Sequence, residues 1–186
     1  MKLLYTLKDD QYEFNGITHN RIAARAIVLN EENKIGLLKV YGDDSFGFRD
    51  YYETPGGGVK QNESVEYAVV REVLEELGVE AEIIDEIGIV EDDYNLIYRH
   101  NIVYYFLLKV VSKKERHLED YEKNLINHIE WLEIDEAINK MKNVKDTKLS
   151  ILQKRREIPI LEIARKKIIE NCSDFKINLH KDTIKY

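Results

Sequence analysis

The stretch Gly56–Val79, GGGVKQNESVEYAVVREVLEELGV, constrains this chain more than any other. Three glycines follow Pro55, and a helical period then runs from Ser64, a residue suited to capping, to Leu77. Gly78 stands where helices commonly end in a left-handed residue. At about 100° per residue, Val70, Val73, Leu74 and Leu77 share one arc and can enter a core. Glu72, Glu75 and Glu76 share another, because positions i, i+3 and i+4 are neighbours on a helix surface. A lone acidic arc is ordinarily a solvated face, since glutamate is a good helix former. Three crowded carboxylates also repel one another, and a divalent cation among them relieves that repulsion.

The arc does not stand alone. Gly57 is followed after five residues by Glu63, and after seven more by Arg71-Glu72-Val73. One variable residue then precedes Glu75-Glu76, and another precedes Gly78-Val79. At every fixed position this spacing resembles the Nudix box, so the chain resembles a Nudix hydrolase, with weaker similarity in the flanking strands over about Met1–Lys142.

The resemblance implies an α/β fold, an α/β/α sandwich around a mixed β-sheet, and an enzyme using Mg²⁺, with Mn²⁺ as a substitute. The implied reaction is attack of water at phosphorus, cleaving the diphosphate linkage of a nucleoside diphosphate derivative such as a nucleotide, nucleotide sugar or dinucleoside polyphosphate. The implied metal ligands are Glu72, Glu75, Glu76 and the Gly56 carbonyl. Nudix proteins often add a carboxylate from a later loop; Glu119, Asp120 and Glu122 are the nearest candidates, and Glu122 is taken forward. Glu72 is a ligand or the base that orients the water, the family placing that base either on this helix or on a later loop. Arg71 would hold a glutamate by a charge-assisted bond, and Glu63 would support the start of the helix. The chemistry is coherent: charged non-bridging oxygens repel an attacking water, and hard cations held by carboxylates neutralise them.

Two other classes remain in view. One is a Nudix-fold module that senses a nucleotide without turnover, although a pure binder has no evident need of three clustered glutamates. The other, an isomerase of isoprenyl diphosphates, would want a cysteine in the cleft, and Cys172 lies far along the C-terminal extension.

The sequence has 186 residues, enough for one substantial core. A formal net charge of −7 argues against a broad basic surface for nucleic acid. A single cysteine precludes an intramolecular disulfide and fits a reducing, cytoplasmic setting. No stretch has the apolar length of a membrane span. The expected partner is therefore a small molecule, with neither nucleic acid nor membrane.

Along the chain, Lys2–Leu7 and Gln11–Phe14 read as a short strand or hairpin, and Arg21–Leu29 and Lys34–Tyr41 as a strong hairpin. Arg25 and Lys39 interrupt those apolar strands; such cations pair with an acid or face the cleft and hold phosphate. Gly42–Arg49 reads as a loop. Tyr51, Tyr52 and Glu53 before Pro-Gly-Gly resemble the family's approach to the box, so Tyr52, Glu53 and Gly57 join Arg25 and Lys39 as candidate substrate contacts. Glu80–Val90 and Asn101–Val111 read as strands. Between them Tyr94, Tyr98, Arg99 and His100 are candidates for gripping a base or sugar, and the position of Tyr94 resembles that of a tyrosine in dinucleoside polyphosphate hydrolases. Ser112–Asn127 reads as a charged loop, His128–Glu133 as a strand, and Ile134–Met141 as the start of a helix with Asp135 as its cap. Two helical segments divided at Pro159 follow. The expected organisation is a Nudix domain over 1–142 and a helical extension over 143–186, packed on the same domain or on a second subunit of a homodimer.

Overall fold

The structure, a computed structural model, describes residues 1–44, 47–118 and 120–181, with the side chains of residue 121 and of 171–181 outside that description. Its strands are β1 (Leu3–Leu7), β2 (His19–Leu29), β3 (Ile35–Asp44), β4 (Gly47–Glu53), β5 (Gly56–Gly58), β6 (Val79–Tyr94), β7 (Arg99–Lys113) and β8 (Ile126–Leu132). The helices are α1 (Val65–Leu77), α2 (Asp120–Leu125), α3 (Ile134–Asn143) and α4 (Lys148–Lys181). The strand order is β1-β6-β7-β2-β3-β4, with β5 added to β2 and β8 to β3. Pairs β1–β6 and β2–β7 are parallel and the others antiparallel, so the sheet is mixed, as the resemblance implied.

The period of two along β2 sorts its side chains onto two faces. Ala24, Ala26 and Val28 pack with Leu38, Phe106 and Leu108 against Ala68, Val69, Val73 and Leu77 of α1. Ala23, Ile27 and Leu29 turn the other way, with Val103 and Tyr105, toward Ile138 and Met141 of α3 and Ile160, Leu161 and Ala164 of α4. Both faces are covered, which gives the α/β/α sandwich. Arg25 occupies a core-facing slot on the second face, where a cation must find acids or remain costly.

Several local expectations are corrected. Of Gly42–Arg49, read as a loop, 42–44 continue β3 and 47–49 begin β4, Asp44 lying opposite Gly47, and 45–46 lie outside the described residues. Gln11–Phe14 forms no strand; the Asp9 carboxylate instead caps a turn by accepting from the Gln11 and Tyr12 amides. The 112–127 stretch contains the short helix α2. Asp135 does not cap α3, whose cap position is Glu133 without a side-chain cap bond. Pro159 does not divide the C-terminal segment, since α4 runs through it as one helix. The proline removes one backbone donor, and near it the Arg156 carbonyl accepts from the Tyr5 hydroxyl at 2.8 Å. Among the described residues no helix is long and apolar enough to cross a membrane.

Candidate active site

The glycine strand β5 lies antiparallel to β2, with Ala24 opposite Gly57 and Arg25 opposite Gly56. Gly56 has φ +141°, and a Cβ there would strike the Ala24 carbonyl and the Arg25 backbone. The chain then turns through Asn62, at φ +63°, a conformation asparagine tolerates. The Ser64 side chain accepts from the Tyr67 amide at 3.2 Å and starts α1, which Gly78 ends at φ +66°.

Arg71 ties this loop to the helix. Its Nε and Nη2 donate to both oxygens of Glu63 at 2.7 and 3.0 Å, and Nη1 donates to Glu72 at 2.8 Å and Glu75 at 2.9 Å. Nη2 also reaches the Gly58 carbonyl at 3.2 Å. The rigid fork of guanidinium donors thus positions three acids at once. These bonds from Arg71 hold the Glu63 carboxyl at about 2, well below the usual carboxylate range.

Glu72, Glu76 and Glu122 come together, each offering a carboxylate oxygen with all three oxygens within 4.8 Å of one another. All three residues are buried. The Gly56 amide donates to Glu76 Oε2 at 2.6 Å, and a Cβ on Gly57 would lie 2.5 Å from Glu72 Oε1, so only glycine leaves this carboxylate its place. Burial pushes the Glu72 and Glu76 carboxyls up. Clustered acids disfavoured as anions, with oxygen donors only, suit a hard divalent cation, and the residues present fit one. Glu75 stands outside this group on its bond to Arg71. Asp120 is exposed and bonded to Lys123, and Glu119 lies outside the described residues.

A cavity of about 380 Å³ borders Arg25, Glu53 and Tyr94. Arg25 donates to the Thr54 carbonyl and to Glu53 Oε2 at 3.0 Å, and its Nε lies 3.9 Å from Glu157. Burial alone would weaken its charge, but Glu53 and Glu157 outweigh that and push its pKa up. The other two cleft candidates sit elsewhere. Lys39 bonds Asp50 and lies 4.6 Å above the Tyr52 ring, whose hydroxyl donates to Glu130, and both border a second cavity with Lys140 and Lys145. His100 bonds Asp93 at 2.8 Å and takes no part in the carboxylate group.

Sequence reasoning passed over Arg21 and Arg49, and also Gln153, Arg155 and Arg156 of α4, all of which border the first cavity. It also missed Glu157, fully buried and accepting from Thr54 Oγ1 at 2.5 Å and Tyr105 Oη at 2.8 Å. One signal was available: the run Arg155-Arg156-Glu157 sits in a helix where Ile160 and Leu161 are core residues, so part of that run had to face inward.

A family model for the NUDIX domain matches residues 19–154. The chain belongs to the Nudix family. It is 31% identical over 109 residues to diphosphoinositol polyphosphate phosphohydrolase 3-alpha of Mus musculus, covering 58% of this chain and 62% of that protein. It is 28% identical over 123 residues to Nudix hydrolase 5 of Arabidopsis thaliana, covering 64% of this chain and 38% of that protein. The chain thus spans less than two thirds of the curated relatives it matches. In fold it is similar to a NUDIX hydrolase from Nitrosomonas europaea, with TM-score 0.60 and 21% identity over 79% of this chain and 89% of that one. It is similar also to a MutT protein from Methanosarcina mazei Go1, with TM-score 0.55 and 21% identity over 83% of this chain and 99% of that one. These likenesses establish the Nudix fold.

Proposed function

We propose that this Nudix protein is a diphosphohydrolase dependent on Mg²⁺ or Mn²⁺, cleaving the diphosphate linkage of a small phosphorylated molecule. The observation that carries the reading is the convergence of Glu72, Glu76 and Glu122, from two separate helices, against the glycine backbone of β5. The name of the mouse relatives specifies hydrolysis of a diphosphoinositol polyphosphate, and a nucleoside diphosphate derivative shares the same scissile group.

Glu72, Glu76 and Glu122 would hold the ion. A divalent cation there supplies charge neutralisation for the diphosphate oxygens and acidifies water. Arg71 fixes Glu72 and Glu75 by charge-assisted bonds, so that either carboxylate can take the proton from the attacking water. Gly57 leaves room for the Glu72 carboxylate, and Gly58 for the Arg21 guanidinium, close against the main chain. Glu53, held by Arg25 and Gln153, stands next to the buried Glu76 and completes the acidic wall.

The test is a turnover panel of nucleoside triphosphates, ADP-ribose, nucleotide sugars, dinucleoside polyphosphates and diphosphoinositol polyphosphates. Phosphoanhydride cleavage is expected with Mg²⁺ or Mn²⁺ and none with EDTA. Binding of a panel member without metal-dependent cleavage would replace the hydrolase with a sensor. Independently of substrate, Mn²⁺ at ten times its Kd should stabilise the native state by about 1.4 kcal/mol, beyond NaCl at matched ionic strength.

A further inference from the structure

The first cavity contains a concentration of cationic groups that the carboxylate centre does not use. Lys8, Arg21, Arg25, Arg49, Arg99, Arg155 and Arg156 border it, against three acids, although the whole chain is acidic at −7. Those acids are already engaged: Glu53 by Arg25, Asp92 by Arg156 and Asn101, Asp93 by Lys8 and His100.

Arg99 and Arg21 are placed side by side by the parallel register of β2 and β7. His19 lies opposite Arg99 and Arg21 opposite Asn101, so residues two apart project from one face. The Arg99 Nε is buried and has no hydrogen-bond partner among the described residues. Burial, with the charge of Arg21 beside it, pushes the Arg99 guanidinium down to about 10. Arg155 reaches the same cavity from α4, its Nη1 bonded to the exposed Asp10 at 2.7 Å.

Arg21 of this cavity lies against the same glycine strand as Glu72 of the carboxylate centre. A Cβ on Gly58 would touch the Arg21 guanidinium at 3.3 Å, and one on Gly57 would press into Glu72. A ligand lying along this backbone therefore has carboxylates on one side of the glycines and Arg21 on the other. A volume of about 380 Å³ is within the range of small-molecule sites, roughly 300–1,000 Å³.

We propose that this cavity is a subsite for a phosphate ester carried on the non-scissile half of the substrate, received by Arg21, Arg99 and Arg155. The assignment rests on the hydrolase reading for which half is scissile, and on the cavity alone for what it binds. A phosphate dianion offers several acceptor oxygens, matching paired guanidiniums in geometry as well as charge. A neutral base or sugar would leave the desolvated Arg99 guanidinium beside the charge of Arg21 and the Arg99 Nε without an acceptor.

The test is calorimetric titration of the metal-free protein at about 0.15 M salt with two matched pairs: 2′-phospho-ADP-ribose against ADP-ribose, and inositol hexakisphosphate against myo-inositol. In at least one pair the phosphorylated member should bind at least about tenfold tighter, a factor equal to 1.4 kcal/mol. Arg99→Gln should remove most of that preference. Arg155→Gln, on a half-exposed helix position, should reduce it severalfold and decides the matter if the Arg99 variant does not fold. Lys145→Gln, in the second cavity, should leave the preference unchanged. Equal affinities within both pairs overturn the subsite, as does an equal loss from Lys145→Gln and Arg99→Gln, which would mean diffuse attraction. Because no metal is present, the outcome does not depend on turnover. A chain that binds as expected yet cleaves no diphosphate with Mn²⁺ overturns the hydrolase reading and leaves the subsite standing.

Discussion

Glu76 carries two duties at once: its Oε2 accepts from the Gly56 amide, and it belongs to the three-carboxylate group. Glutamine can still accept that amide bond but is a poor ligand for a hard cation. Glu76→Gln is therefore expected to keep the fold and to lower turnover at least ~100-fold, on the scale of losing one strong transition-state interaction. Near-normal turnover with a normal circular-dichroism spectrum would remove Glu76 from the metal centre. Gly57 makes a different point. Its backbone is not in a left-handed region, so alanine is sterically possible there except for the contact with the Glu72 carboxylate. Gly57→Ala should swing that carboxylate aside and weaken Mn²⁺ binding, read as a smaller Mn²⁺-induced rise in melting temperature. In EDTA its melting temperature should stay close to wild type.

At the level of elements, α4 is tied to the sheet by a buried polar network as well as by Ile160 and Leu161. Glu157 accepts from Thr54, which precedes the Pro55-Gly56 turn, and from Tyr105 on β7, and it lies beside Arg25 and Arg156. Burial would raise its carboxyl, but Arg25 and Arg156 outweigh this and hold it below the ordinary range, so it is an anion in place. Removing it takes one counter-charge from each of two buried guanidiniums, leaving Arg25 with Glu53 and Arg156 with Asp92. Glu157→Ala should cost about 3–5 kcal/mol, measured by urea unfolding with EDTA present, as for a broken buried ion pair. A loss under ~1 kcal/mol would show that α4 is held by apolar packing alone.

For the molecule as a whole, acid stability has an identifiable contributor far from the metal centre. Glu130 on β8 accepts from Tyr52, His128 and Lys140, joining β4, β8 and α3. Burial alone would raise its carboxyl, yet these bonds win and hold it at about 2, against an ordinary value of 4.5. A carboxyl depressed in the folded state contributes stability that is fully present above the unfolded value. That stability is lost as the pH falls from about 4.5 toward 2. Glu130→Gln should therefore be less stable than wild type at pH 7 and converge with it as the pH falls toward 2. A constant difference between the two across that range would mean that the carboxylate charge at Glu130 is not what stabilises.

How much of this was legible follows the range of the forces involved. The α1 helix, its Ser64 cap, its Gly78 stop and the grouping of acids around Arg71 are local, spaced by the 3.6-residue period, and could be read without any fold. The mixed sheet followed from resemblance, because strand order depends on pairing between distant segments such as β2 and β7. The chain continued as strand through Gly42–Asp44 because β4 was there to pair with it, a partner that local turn chemistry does not reveal. Glu122 separated from Asp120 only when α2 folded and turned one of these acids inward and left the other exposed. Lys39 and Tyr52 looked equivalent to Arg25 and Glu53 in the sequence, and the tertiary structure put them at different cavities. Arg99 was one polar residue in a polar stretch until the parallel register set it beside Arg21 and burial left it short of acceptors. Local spacing alone thus determined the acidic helix face. Which carboxylate completes it, and which cations face it across the glycines, was decided by long-range pairing and burial, which no window of sequence contains.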